Sequence, residues 1–198
     1  SRSAFSDAEG TYVKEEYEME EAVITGIASD TSEVKVTVRR VPDAPSVAAK
    51  VFSALAANNV NLDMIIQNVS EAGFTDISYT TPSADLPRAI ETMERIVPEI
   101  GAREFIVDED IAKVSLVGTG MKSSPGVASR TFQTLGDNNI NIVAISTSPI
   151  RLSMIVDAAQ AAQAVQCLHT AFGLDSDDLF VETQLSAEEI AAKMKKGR

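Results

Sequence analysis

The chain has almost none of the side chains that usually carry chemistry or covalent staples. It holds one histidine, one cysteine and no tryptophan in 198 residues. A lone cysteine excludes an internal disulfide and fits a reducing compartment. Cys167 and His169 stand two apart, and at that spacing they face different sides of a helix. They can form neither a metal cage nor a nucleophile–base pair, and read as buried filler (Cys167) and a surface or boundary residue (His169). Positive charge is scarce too: 17 Lys and Arg against 29 Asp and Glu leave a net charge of −12. The basic residues are scattered without interleaved aromatics, which argues against a nucleic-acid partner or an anionic membrane. No apolar run approaches the roughly 20 residues of a membrane span, and the start has no signal-peptide pattern. The expectation is a cytoplasmic protein. Gly118-Thr-Gly-Met-Lys-Ser-Ser-Pro-Gly126 has the glycines of a phosphate loop. It lacks the Gly-Lys-Ser/Thr order such a loop needs, and reads as a loop leading into a helix. Asp177-Asp178 reads as a solvated turn. No carboxylate pair is placed for acid–base work, so no catalytic residue, metal ligand or cofactor is assigned.

What the chain has is a repeat. Lys50-Val-Phe-Ser-Ala-Leu-Ala-Ala-Asn-Asn-Val-Asn-Leu-Asp63 returns as Arg130-Thr-Phe-Gln-Thr-Leu-Gly-Asp-Asn-Asn-Ile-Asn-Ile-Val143. Phe52/Phe132, Leu55/Leu135, Asn58/Asn138, Asn59/Asn139 and Asn61/Asn141 share an offset of 80, as do Pro45/Pro125, Val47/Val127 and Ala48/Ala128. Two copies at that spacing mean a duplicated small domain, since solenoid repeats are shorter and more numerous. A hydrophobic share of 44% lets each half build a core.

Residues 1–21, with the acidic run Glu15, Glu16, Glu18, Glu20 and Glu21, read as a linker or the end of something larger. Residues 22–30 hold an extra strand at Ala22 to Ala28. The first copy spans 31–110, the second 111–185, and 186–198 form a tail with capping-box spacing and a short terminal helix. In the first copy, the valines of Val34 to Arg40 alternate as in a half-buried strand. Val47, Val51 and Leu55, with Ala48 and Phe52 beside them, form a helical stripe. Asp43 can cap that helix, Pro45 suits its first turn, and Asn58-Asn59 stops it. Strands follow at Leu62 to Val69 and Thr75 to Thr81. A helix runs from Asp85 to Ile100, closed by Gly101, and a strand from Arg103 to Val107. The second copy repeats the order: a strand at Lys113 to Val117, a helix at Pro125 to Leu135, strands at Ile142 to Ser146 and Ile150 to Val156. A helix at Ala158 to Phe172 closed by Gly173 and a last strand at Leu179 to Thr183 complete it. Asp85/Asp157, Ile96/Leu168 and Gly101/Gly173 differ by 72, so the length change lies between the middle strands. The fold class is α+β: two ferredoxin-like βαββαβ units, each with both helices on one face of an antiparallel sheet. Uncovered sheet faces and edges point to an oligomer.

Each copy offers a loop before its first helix, Pro45 to Ala48 and Pro125 to Ala128, whose backbone amides favour a carboxylate. Asp43 adds a negative charge beside the first, so a zwitterion could satisfy both; alternatively Asp43 is only a cap and the asparagines only stops. The duplicated Asn-Asn-(Val/Ile)-Asn favours a ligand, because one Asn suffices to end a helix.

Ala22-Val-Ile-Thr-Gly-Ile-Ala28, Gln67-Asn-Val-Ser70, Lys113-Val-Ser-Leu-Val-Gly-Thr-Gly-Met-Lys122, Pro125-Gly-Val127 and Asn141-Ile-Val-Ala-Ile-Ser-Thr-Ser148 closely resemble the regulatory region of bacterial aspartokinase, with its tandem ACT domains. The resemblance runs from about Glu20 to Thr183. Residues 1–11 resemble the end of the kinase domain, and Met19 lies where the family's internal start for a separate small subunit would be. The resemblance implies feedback control: threonine, alone or together with lysine, binds between ACT units as an allosteric ligand and inhibits aspartate phosphorylation for lysine, threonine and methionine synthesis. It implies a catalytic (alpha) subunit and a second copy as partners. The implied threonine site joins Asp43, Pro45, Ser46, Val47, Ala48 and Gln67 to Asn139, Asn141 and Ile142 of the other unit. Ser46 stands where a glycine is common. The implied second, lysine-like site joins Asn61, Leu62 and Asp63 to Ser124, Val127, Ala128, Ser148 and Pro149. There Ser124 replaces a frequent His, Ala128 a frequent Thr and Pro149 a frequent Glu, so strong threonine binding and weak or absent lysine binding are expected. The rival readings are an ACT module that senses an amino acid for another partner, one that only dimerises, and a fragment with kinase activity that lacks phosphate-binding machinery.

Overall fold

The computed structural model describes residues 23–68, 72–119, 121 and 125–174. The linker, Met19, Ser124, the strand expected at Leu179 to Thr183 and the tail helix lie outside them. Among the described residues eight strands and four helices follow in the order β1 (Val23–Asp30), β2 (Glu33–Pro42), α1 (Val47–Ala57), β3 (Ile65–Gln67), β4 (Phe74–Pro82), α2 (Leu86–Ile100), β5 (Glu104–Asp108), β6 (Ile111–Thr119), α3 (Pro125–Asp137), β7 (Ala144–Ser148), β8 (Arg151–Asp157) and α4 (Ala161–Phe172). Single turns of 3-10 helix, Ser83–Asp85 and Ala158–Gln160, lead into α2 and α4.

The strands form two antiparallel sheets, β3-β4-β2-β5 and β1-β6-β8-β7. The first is the expected βαββαβ unit. In the second, β1 lies where β5 lies in the first: Asp30 pairs with Lys113, and Ile27 with Leu116. The strand that precedes the first unit in sequence therefore completes the sheet of the second. Ile24 is buried in the second core and Ile27 packs against it.

Alternation along the strands decides which face meets the helices. Val34, Val36, Val38 and Val41 of β2, with Ile77 and Tyr79 of β4, turn toward Val51 and Leu55 of α1 and Met93, Ile96 and Val97 of α2. Burying Val51 or Leu55 completely stabilises by about 1.5–3 kcal/mol each. The second core repeats this with Val114, Leu116, Leu152, Met154, Leu135 and Leu168. Thr131 takes the place of Val51 there; its hydroxyl donates to the Val127 carbonyl at 2.8 Å, so the buried oxygen has a partner. Gly101 and Gly173 close α2 and α4 with φ of 73° and 70°, a conformation glycine adopts without Cβ strain.

The helix-free faces make a third, smaller cluster across the two units. Met64, just before β3, packs on Ile111 of β6 and Ile155 of β8, with Ile66 and Ala144 alongside. Among the described residues no helix is long and apolar enough to cross a membrane.

Candidate functional site

The start of α1 differs from the expected capped turn. The residue at the helix boundary is Ser46, with φ 69°, and no side chain caps the helix. Asp43 is thus not a cap, and Pro45 lies ahead of the first turn. The reason is a kink upstream: a bulge between Val38 and Val41, with Arg40 at φ 50°, turns the strand before it reaches the loop. The Arg40 amide donates to Asp76 Oδ1 at 2.8 Å, and its guanidinium lies 4.5 Å over the Phe74 ring. The Asp43 amide is then drawn to the Gly73 carbonyl at 2.9 Å. Asp43, Pro45 and Ser46 are exposed, and Val47 and Ala48 half-buried. Among the described residues the amides of Ala48 and Ala49 have no partner. An unsatisfied helix start with a carboxylate nearby offers complementary partners for both ends of an amino acid. Gln67 sits exposed on the edge strand β3.

The asparagines are busier than expected. Asn58 and Asn138 donate from their side chains to Ala54 and Thr134 carbonyls, each at 2.8 Å. Asn59 and Asn139 adopt the left-handed conformation that ends the helix, with φ of 54° and 55°. Two asparagines are therefore used to end each helix, and the inference that one would suffice is corrected. The third pair diverges. Asn61 donates its amide (2.9 Å) and side chain (3.1 Å) to Asp85, which Arg88 also contacts. These donors, the Asn61 amide first, hold the Asp85 carboxyl below its usual value despite some desolvation. In the second unit Asp157 instead accepts from the Ala159 amide at 2.8 Å, and Asn141 is exposed. Ile142 packs on the second core. The Asp43 amide bonds within the first unit, and the Asn139 carbonyl accepts from Gln160 within the second.

Val127, Ala128, Ser148 and Pro149 line one cavity of about 480 Å3, together with Met121, Thr147, Arg151 and Leu152. It opens at the first turn of α3, whose amides have no partner within the helix. A second cavity of about 240 Å3 lies between the units, where Asp63 and Met64 face Ser146, Ser148, Ile150, Arg151 and Ser153. Ser148 and Arg151 border both. Leu62 packs on the first core, and Asn61 is committed to Asp85.

Two residues escaped the sequence reading. Arg151, at the start of β8, lines both cavities and forms no ion pair among the described residues. Lys113, on the helix-free face of β6, binds Glu33 and, at 2.8 Å, Asp63, with Asp30 at 3.8 Å. Desolvation pulls its pKa down, but Asp63 and Glu33 outweigh that and hold it above the usual lysine value. Lys113 was visible only as part of a strand, and nothing in its neighbours in sequence announces three carboxylates.

Comparison with known proteins fits this geometry. The ACT domain family model matches residues 34–95 and 114–172. An aspartokinase from Mycolicibacterium smegmatis is 47% identical over 182 residues, which cover 89% of this chain and 43% of that protein. The chain thus spans less than half the length of the curated relatives it matches. Among solved structures, one of aspartokinase alpha and beta subunits is 42% identical with a TM-score of 0.72, covering 76% of this chain and 99% of that one. The ligand-free regulatory subunit of aspartate kinase from Thermus thermophilus is 39% identical, also with a TM-score of 0.72, over 75% of this chain and 98% of that one.

Proposed function

Because the chain belongs to the ACT domain family, as a tandem-ACT regulatory region of the aspartokinase kind, we propose that it binds threonine between ACT units and thereby inhibits aspartate phosphorylation by a catalytic subunit. The observation that supports this best is the uncapped start of α1, with partnerless amides at Ala48 and Ala49 and the exposed Asp43 carboxylate close by in the chain. The amides suit the threonine carboxylate and Asp43 its ammonium. Asn139, Asn141 and Ile142 complete the site from a second copy. The open edges β3 and β7 give that copy strands to pair with. Binding shifts the kinase only by the difference in threonine affinity between two arrangements of the paired units, typically about 1–3 kcal/mol.

A thermal-shift screen over the amino acids, followed by calorimetry, tests the reading. A specific ligand at 100 times its dissociation constant adds about 2.7 kcal/mol of stability. Threonine should be the ligand that shifts the transition, and Asp43→Ala should lose both the shift and the inhibition in the assembled enzyme. Tight lysine binding with no threonine binding refutes it. A module that only dimerises shifts with no amino acid.

A further inference from the structure

The repeat brings its own equivalent positions into contact where the two units meet. Val34 of β2 and Val114 of β6 share the offset of 80, as do Val36 and Leu116, and all four are buried in the cores under the helices. Alternation then turns the residues just before them, Glu33 and Lys113, onto the helix-free faces. These two also stand 80 positions apart, and the Lys113 ammonium donates to the Glu33 carboxylate. Their side chains are 8% and 12% exposed, and Glu33 Oε2 is buried with no partner among the described residues. Asp30 and Asp63, both far more exposed, sit at the rim of the pair. A second pair repeats the relation in size: Met64 and Ala144, again 80 apart, both pack into the small cluster with Ile111 and Ile155. Contact between equivalent positions is what a two-fold axis produces, since such an axis lays one patch on its own copy. Here the patch meets its diverged duplicate. Glutamate meets lysine, and a large side chain shares a cluster with a small one.

We propose that Glu33 and Lys113 are the pairing determinants of this interface, making the helix-free face of the first unit accept the second unit and refuse a copy of itself. Paired like with like, two first units would set Glu33 against Glu33, with two methionines contending for one cluster. Two second units would set Lys113 against Lys113, with two alanines leaving that cluster underfilled. Little water reaches either buried repulsion, and a like-charge juxtaposition rejects a wrong partner as a good contact selects the right one. The two units of one chain therefore hold each other, and a second copy of the chain is met at the open edges β3 and β7 rather than at these faces. How the units pair is independent of which ligand the chain binds.

The test uses the full chain with Glu33→Lys, with Lys113→Glu, and with both together. Each single reversal puts like charges in contact and should open the junction. The radius of gyration in small-angle scattering should rise while far-UV circular dichroism stays at the wild-type level. The double reversal keeps the pair with its signs exchanged, and should return the radius and the urea midpoint close to wild type. Mixing reads the selectivity itself. The Glu33→Lys chain offers two lysine-bearing faces and the Lys113→Glu chain two glutamate-bearing faces. An equimolar mixture should therefore sediment at a higher weight-average mass than either chain alone at the same total concentration. A purely structural role for the pair would weaken each variant and leave the mixture at the mean of its components. That result overturns the proposal, as does a single reversal that stays closed or a double reversal as open as the singles. Should a single reversal fail to fold, the double reversal still decides: matching wild type supports the pairing rule, and failing with the single overturns it. Threonine calorimetry on the wild type reports on the proposed function separately, because none of these outcomes requires a bound amino acid.

Discussion

Replacing Lys113 with methionine keeps much of the length and volume of the side chain and deletes its charge. The consequence depends on which carboxylate dominates its surroundings. Asp63 is 44% exposed and can return to water, so its pairing contributes little, as exposed pairs do, about 0–1 kcal/mol. Glu33 is different: at 8% exposure with one oxygen already partnerless, it would keep a buried charge without a cation. Removing one partner of a buried pair costs about 3–5 kcal/mol. Lys113→Met should cost about 3 kcal/mol, at the low end because the site is not sealed. For a chain of this size that lowers Tm by roughly 6–12 °C. Lys113→Met with Glu33→Met removes both charges and should recover all but about 1 kcal/mol, because matched apolar replacements of buried pairs are often neutral. The assay is urea unfolding followed by circular dichroism, with midpoint and slope compared among the three proteins. The raised pKa of Lys113 places its own titration above its usual 10.5. Stability from the pair is therefore complete below that value and lost only as pH rises through the folded pKa. The penalty should therefore stay flat through neutral pH. A single-variant cost below about 1 kcal/mol, or a double variant less stable than the single, would refute the reasoning.

Three further perturbations probe the fold. Tyr79 is buried against Phe52 with a hydroxyl that has no partner among the described residues, and burial pushes its pKa up. Tyr79→Phe should therefore be neutral or raise stability by up to about 1 kcal/mol in a melt, and a clear loss would reveal a missed hydrogen bond. The Asp85 carboxyl sits below its usual 3.8, so its contribution is present above that value and lost as pH falls through the folded pKa. The stability gap between wild type and Asp85→Asn should be constant near neutrality and close below pH 3.8; a gap that widens in acid contradicts the assignment. At Gly101 an added Cβ would meet Pro42 Cγ at 3.8 Å, an ordinary contact, while φ is 73°. Gly101→Ala should cost about 1 kcal/mol from backbone strain alone, read from the urea midpoint.

Much of the architecture was legible from local rules. The alternating valines of β2, the stripe at Val51 and Leu55 and the stops at Gly101 and Gly173 each follow from periods of a few residues, and the offset of 80 announced two units. The candidate site is less legible, because its residues come from separate elements. Val127, Ala128, Ser148 and Pro149 do meet around one cavity, and Asp63 reaches the neighbouring one. The cap at Asp43 was misjudged because the bulge at Arg40, held by Asp76 from another strand, redirects the chain before α1. The surplus of asparagines was misjudged because a side-chain bond and a left-handed residue are separate tasks at one helix end.

By itself the sequence determined the duplication, the α+β class and the core faces, since these rest on spacings that sterics convert directly into helix and strand. Only the tertiary structure decided that β1 completes the second sheet, that Lys113 gathers Asp30, Glu33 and Asp63, and that Arg151 stands over both cavities. Those relations join residues dozens of positions apart. A lysine on the polar side of a strand has the same sequence signature whether it meets water or a buried glutamate, and which it meets depends on how the two units pack.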